Sequence, residues 1–152
     1  MADHLRTQIR DAALARVNAL TTTGSRAYAG RPDTRPLQPS DLPALLIYTD
    51  ESESEPVAGS RGARRLLHNA ELVIEGYARA TGDVDKTLDT IEKEVRVALE
   101  AAPTLGGLCK DLVCLSASKD RGDDGDQPTF RLRMTWRCEY HTREGVPDAA
   151  LA

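Results

Sequence analysis

Long apolar runs are the first thing missing from this 152-residue chain. No stretch approaches the ~20 apolar residues of a membrane-spanning helix, so no membrane association is expected. Aromatic residues are scarce at 4%, with one Trp and one Phe, and aliphatic side chains must therefore fill most of any core. Cysteine is limited to Cys109, Cys114 and Cys138. An odd count without close pairing is a poor disulfide framework and reads as buried thiols in a reducing compartment. A strong excess of one charge is also absent. The net charge of -4 argues against bulk nucleic-acid binding, which needs a basic face to neutralise phosphates, but allows a locally charged surface lining a channel. Met1 to Arg10 is charged and lacks the apolar core of a signal peptide. The expectation is a protein that stays in the cytoplasm where it is made.

What is present is ordinary in amount. Hydrophobic residues make up 40% and charged residues 29%, near the globular average, and the length suits one domain. The reading is a single domain over 1–152, with an ordered core from about 4 to 142 and a C-terminal tail, 143–152, that frays.

Periodicity gives the elements. Leu5, Ile9, Ala13, Val17 and Leu20 fall at helical spacing, which predicts an amphipathic helix over His4 to Leu20. Arg26 to Gly30 is a short strand. Pro32, Pro36 and Pro39 make Arg31 to Asp41 a loop. The compact run Ala44-Leu45-Leu46-Ile47-Tyr48 predicts a buried strand over Pro43 to Thr49. From Asp50 to Gly62 the chain turns acidic, then Pro-, Gly- and Ser-rich, and reads as an exposed, mobile loop. The acids of Asp50 to Glu55 opposite the basic Arg61 to Arg65 would suit two arms of a long hairpin.

Leu66 to Ala78 alternates with period two: Leu66, His68, Ala70, Leu72 and Ile74 on one face, and Leu67, Asn69, Glu71, Val73, Glu75 and Tyr77 on the other. Thr81 or Asp83 caps a second helix, whose stripe Val84, Leu88, Ile91, Val95 and Leu99 runs to about Ala102. Asp111 to Ser118 is a strand, Lys119 to Pro128 a polar loop, and Thr129 to Thr142 a long alternating strand. That strand sets Phe130, Leu132, Met134, Trp136, Cys138 and Tyr140 against Arg131, Arg133, Thr135, Arg137, Glu139 and His141. The fold class is α+β: a mostly antiparallel four- to five-stranded sheet, two helices packed on one face, and a long charged hairpin loop.

Catalytic constellations are missing. There is no Walker loop or dinucleotide fingerprint. Gly59-Ser60-Arg61-Gly62 lacks the glycine two residues before the serine that a nucleophile elbow needs. Pro32-Asp33 is not followed by the acid-x-Lys of a metal nuclease, because Ala117-Ser118-Lys119 has no carboxylate. His4, His68 and His141 are scattered, whereas metal ligands cluster at matched spacing; His68 reads as a hydrogen-bonded, partly buried ring. The acids of Asp120 to Asp126 miss the alternate positions of a calcium loop, and Arg121-Gly122-Asp123 matches an adhesion tripeptide by chance. The expectation is a protein that is not an enzyme and carries no metal or cofactor.

Charged projections of both signs remain: Asp50 to Arg65, the row Arg131, Arg133 and Arg137, and the tip Asp120 to Asp126. Such projections suit charge-complementary contacts between subunits. The expected contact residues are Asp50, Glu51, Glu53, Glu55, Arg61, Arg64, Arg65, Arg131, Arg133 and Arg137.

The order of elements resembles the tail terminator (minor tail protein U-like) family of lambda-like phages. The residues that carry the resemblance are the His4 to Leu20 helix leading to Gly30-Arg31-Pro32, and Leu42-Pro43-Ala44 before the apolar strand. The acidic Asp50 to Glu55, Glu71-Leu72-Val73-Ile74-Glu75, a helix from Asp83, and a last strand with Met134-Thr135-Trp136 and Glu139-Tyr140 complete it. The resemblance runs from about His4 to His141. It implies a virion protein that forms a homo-hexameric ring on the head-proximal end of the tail. That ring would stop polymerisation of the tube protein, receive a head-completion or connector protein, and let DNA pass through its lumen. The loop at Asp120 to Pro128 matches nothing in that family; in such a ring Lys119, Asp120, Arg121, Asp123, Asp124 and Asp126 are expected to form a loop facing the lumen or the connector. Alternatives are a neck or tail-completion protein on a similar scaffold, a small hydrolase or nuclease, and an intracellular protein-binding regulatory domain.

Overall fold

The computed structural model describes residues 2–57, 64–121 and 128–151. In chain order it contains α1 (Leu5–Val17), β1 (Ala27–Ala29), a 3-10 turn (Pro39–Asp41), β2 (Ala44–Pro56), β3 (Arg65–Arg79), α2 (Val84–Glu100), β4 (Asp111–Arg121) and β5 (Thr129–Arg143). The strands form one mixed sheet in the order β1-β2-β3-β5-β4. The short β1 lies parallel to β2, and the other pairings are antiparallel. The architecture is therefore α+β, a five-stranded mixed sheet with two helices.

Both helices pack on one face of the sheet. Leu5, Ile9, Ala13 and Val17 of α1 and Leu88, Ile91, Val95 and Leu99 of α2 are buried. They join one cluster with Leu45, Ile47, Leu72, Ile74, Leu132, Met134, Trp136 and Tyr140. Each such aliphatic side chain contributes about 1.5–3 kcal/mol when fully removed from water. Asp83 is the cap of α2: its Oδ1 accepts from the Lys86 N–H at 3.1 Å, which satisfies one of the helix's unpaired first-turn donors. Gly76 is where α2 comes nearest the sheet, since a Cβ there would stand 3.1 Å from Ile91 Cγ2 and 3.5 Å from Leu45 Cδ2.

The faces expected for β3 and β5 are those observed. Ile74 pairs with Met134 and Leu72 with Trp136 on the helix side, and Glu75 with Arg133 and Tyr77 with Arg131 on the other. His68 is bonded at both ring nitrogens, to Ser54 Oγ at 2.6 Å and Thr142 Oγ1 at 2.7 Å, and stacks on Tyr140 at 4.6 Å. Cys109 and Cys138 are buried thiols, while Cys114 is only partly covered.

Four boundaries differ from the sequence reading. The first helix ends at Val17, with Asn18 as its C-cap, and Leu20 instead bridges to Gly24. Asp50 does not start an irregular loop, because β2 runs on to Pro56, paired with Leu66. Acids and serines have low strand propensity, but the ladder offered by β3 outweighs it. One extra residue between Thr49 and Ser52 forms a bulge. Beyond the bulge Ser52 and Ser54 pair with Ala70 and His68 of the helix face, while Glu53 and Glu55 pair with Asn69 and Leu67 of the opposite face.

Likewise β4 runs to Arg121, so Lys119, Asp120 and Arg121 are strand residues rather than loop residues. A bulge between Cys114 and Ser116 leaves Leu115 55% exposed. The tail is tied down rather than frayed. Leu5 N–H donates to the Pro147 carbonyl, Gln8 Nε2 to that of Asp148, and Leu151 N–H to that of His141.

Candidate functional site

The face of the sheet away from the helices carries the charge. Ala44, Leu46, Tyr48, Val73, Glu75 and Tyr77 are all buried there, yet none belongs to the helix-side cluster. Residues 31–42 cover one end of this face. Arg31 lies over the Tyr48 ring at 4.7 Å and donates from Nη2 to the Thr49 carbonyl at 2.9 Å. Arg35 lies over the Tyr28 ring at 4.2 Å. Between this segment and the sheet is a cavity of about 480 Å³, whose charged walls are Arg31, Asp33, Arg35, Glu75, Arg131 and Arg133.

At its floor is an ion-pair network. The Glu75 side chain is 1% exposed, and a buried carboxylate without a partner would be strongly unfavourable. Arg131 Nη1 meets it at 3.2 Å, and the Tyr77 hydroxyl donates to its Oε2 at 3.3 Å. Arg131 also grips Asp120 with two contacts, Nε–Oδ1 at 2.9 Å and Nη2–Oδ2 at 2.5 Å, the bidentate geometry suited to a guanidinium. The Asp120 hydrogen bond raises the Arg131 pKa further above its already high value. Burial first, then the Glu75 carboxylate, push up the hydroxyls of Tyr77 and Tyr48, so both stay protonated. The arrangement fixes charge and shape on a rigid sheet.

The sequence-predicted residues divide into distinct groups. Arg131, Arg133, Asp50 and Asp120 come together at this site, with Arg133 Nη2 at 3.8 Å and Arg31 Nη2 at 3.4 Å from Asp50. Glu51, Glu53 and Glu55 stand exposed along β2 and make no ion pair among the described residues. Arg64 pairs with Glu144 at 2.8 Å, which lowers the Glu144 pKa through that hydrogen bond. Arg65 Nε donates to His141 Nδ1 at 2.8 Å. Lys119 reaches across to α2, meeting Asp89 at 2.6 Å and Asp85 at 3.9 Å. Arg137 is exposed on β5. Arg61, Asp123, Asp124 and Asp126 lie outside the described residues.

Sequence reasoning missed Arg31, Arg35, Tyr48, Glu75 and Tyr77 as members of one site. The available signal was Glu75 itself, an acid inside Val73-Ile74-Glu75-Gly76-Tyr77, facing alternate arginines on β5. Among the described residues no group of three or more His, Cys, Asp or Glu side chains could hold a metal ion.

The family model for phage minor tail protein U matches residues 4–140. The chain belongs to the phage minor tail protein U family. It is thus a structural protein of a phage virion, from the tail or neck region. No curated protein matches the chain. A chain from the solved structure titled "Virion of native gene transfer agent (GTA) particle" is similar at 21% identity, covering 90% of this chain and 92% of its own, with a TM-score of 0.44.

Proposed function

We propose that this protein is the tail terminator: a homo-hexameric ring that caps the head-proximal end of the tail tube and presents a fresh surface to a head-completion or connector protein. Capping works by asymmetry. One side of the ring matches the tube end, and the other does not repeat that surface, so polymerisation stops. A ring closes by rotation when each subunit contributes two different patches, and DNA passes through the lumen without sequence-specific contact.

The observation that carries the reading is the exposed carboxylates Glu51, Glu53 and Glu55 on the extended arm of β2, which have no cation of their own subunit among the described residues. Charges held on a rigid strand without an internal partner suit contact with another subunit. Purified protein added to polymerising tail-tube protein tests this. Native mass spectrometry should give a hexamer, and electron micrographs should show tubes that stop growing and carry a ring at one end. A protein that stays monomeric at high concentration while tubes grow unchanged would refute the proposal.

A further inference from the structure

The lining of the cavity on the charged face holds more arginines than carboxylates. Four of the residues lining it are arginines, Arg31, Arg35, Arg131 and Arg133, against two carboxylates, Asp33 and Glu75. Glu75 is already engaged by Arg131, which Asp120 also holds. Asp50 stands between Arg31 and Arg133 at 3.4 Å and 3.8 Å, too far for two close pairs. Arg35 has only the Tyr28 ring as a partner among the described residues. The ring beneath Arg35 fixes its guanidinium plane and leaves its N–H edges free for an acid, while Arg31, over the Tyr48 ring, already turns Nη2 to the Thr49 carbonyl. The mouth is thus a preorganised carboxylate receptor.

The same chain displays matching carboxylates that it cannot deliver to itself. Tyr48 is in the cavity wall, and β2 continues from it as a paired strand to Pro56. At ~3.3 Å per residue, Glu53 and Glu55 are carried roughly 17 to 23 Å away from Tyr48, and the ladder with β3 prevents them folding back. The outer edge of β2 meets β1 only at Leu45, Leu46 and Ile47, so beyond Ile47 no strand among the described residues covers it. Glu53 and Glu55 share a face, two residues apart on a strand, a spacing that presents successive carboxylates to a row of cations.

We infer that the acidic arm of one subunit, through Glu51, Glu53 and Glu55, docks in the arginine-lined cavity of a second copy, engaging Arg31, Arg35 and Arg133. The inference rests on the ring reading for the expectation that copies meet, and it names the contact. Two unlike patches on one chain make a head-to-tail contact, which closes into a ring when the rotation permits.

A charge-swap experiment tests it. One variant is E51K/E53K/E55K, the other R31E/R35E, with Arg35→Glu alone as the milder form should the double variant fail to fold. Circular dichroism confirms folding, and native mass spectrometry reads assembly. The expected result is hexameric wild type, monomer for each variant alone, and hexamers with three copies of each variant when the two are mixed. In such a mixed ring the Lys arm meets the Glu cavity and the Glu arm meets the Arg cavity. Folded variants that each assemble like wild type, or a mixture that fails to restore assembly, would overturn this contact while leaving the terminator reading intact. Rescue into dimers only would keep the contact and overturn the hexamer. Wild type that is monomeric at every concentration would overturn both.

Discussion

The two faces of the sheet bury comparable strands by different means. On the helix side, aliphatic side chains and Trp136 fill the space under α1 and α2. On the opposite side, Leu46, Tyr48 and Val73 are buried beside an ion-pair network, with the segment 31–42 covering one end in place of a helix. The first face tolerates exchange of one apolar side chain for another of similar volume. The second depends on a complete set of partners, because removing one member strands a buried charge. Such a face costs stability to build, and its return is a fixed pattern of charge at the surface.

The sharpest way to break the comparison is to damage each face at its centre. Trp136→Ala on the helix face should lower stability by about 3–5 kcal/mol, read as a shift in the urea midpoint, since its side chain is 0% exposed. Arg131→Ala should cost a similar amount, about 3–5 kcal/mol, because it leaves Glu75 buried and unpaired. Adding Glu75→Leu to that variant should recover most of the loss. A small effect of Arg131→Ala in the same urea titration would mean that the second face is held by packing alone. Gly76→Ala, also on the helix face, should cost about 1–3 kcal/mol by pressing on Ile91, again measured at the urea midpoint.

A smaller effect concerns pH. Burial first, then the positive charges facing it from His4, Arg6 and His141, lower the pKa of His68. A base whose folded pKa is depressed is neutral in the folded state, and the unfolded chain binds the proton more readily. Stability from this group is therefore complete above its unfolded pKa of about 6.5 and declines as pH falls below it. Melting temperatures recorded from pH 8 to pH 5 should fall less steeply for His68→Gln than for wild type. Parallel curves would count against the assignment.

The helix face was legible because its signals are local. Period two over Leu66 to Ile74 and Phe130 to Tyr140, and the helical stripe Leu88 to Leu99, each predict a buried side from neighbours in sequence. Spacing alone offers Thr81 or Asp83 as the cap of α2, and geometry selects Asp83. The other face was legible only in part. Arg131, Arg133 and Arg137 could be placed on one side of β5, but not joined to Arg31 and Arg35. A proline-rich segment signals irregular backbone and gives no sign of where it lies. The strand character of Asp50 to Pro56 was hidden for a related reason. Its acids and serines disfavour strands locally, and its order comes from pairing with β3.

Cryo-electron microscopy of tail tubes assembled with this protein tests the central claim most directly. The account predicts a ring of six subunits at one end of the tube, with Glu51, Glu53 and Glu55 of each subunit within ion-pair distance of Arg31, Arg35 or Arg133 of its neighbour. Tube ends without a ring, or a ring in which these two surfaces both face solvent, would contradict it.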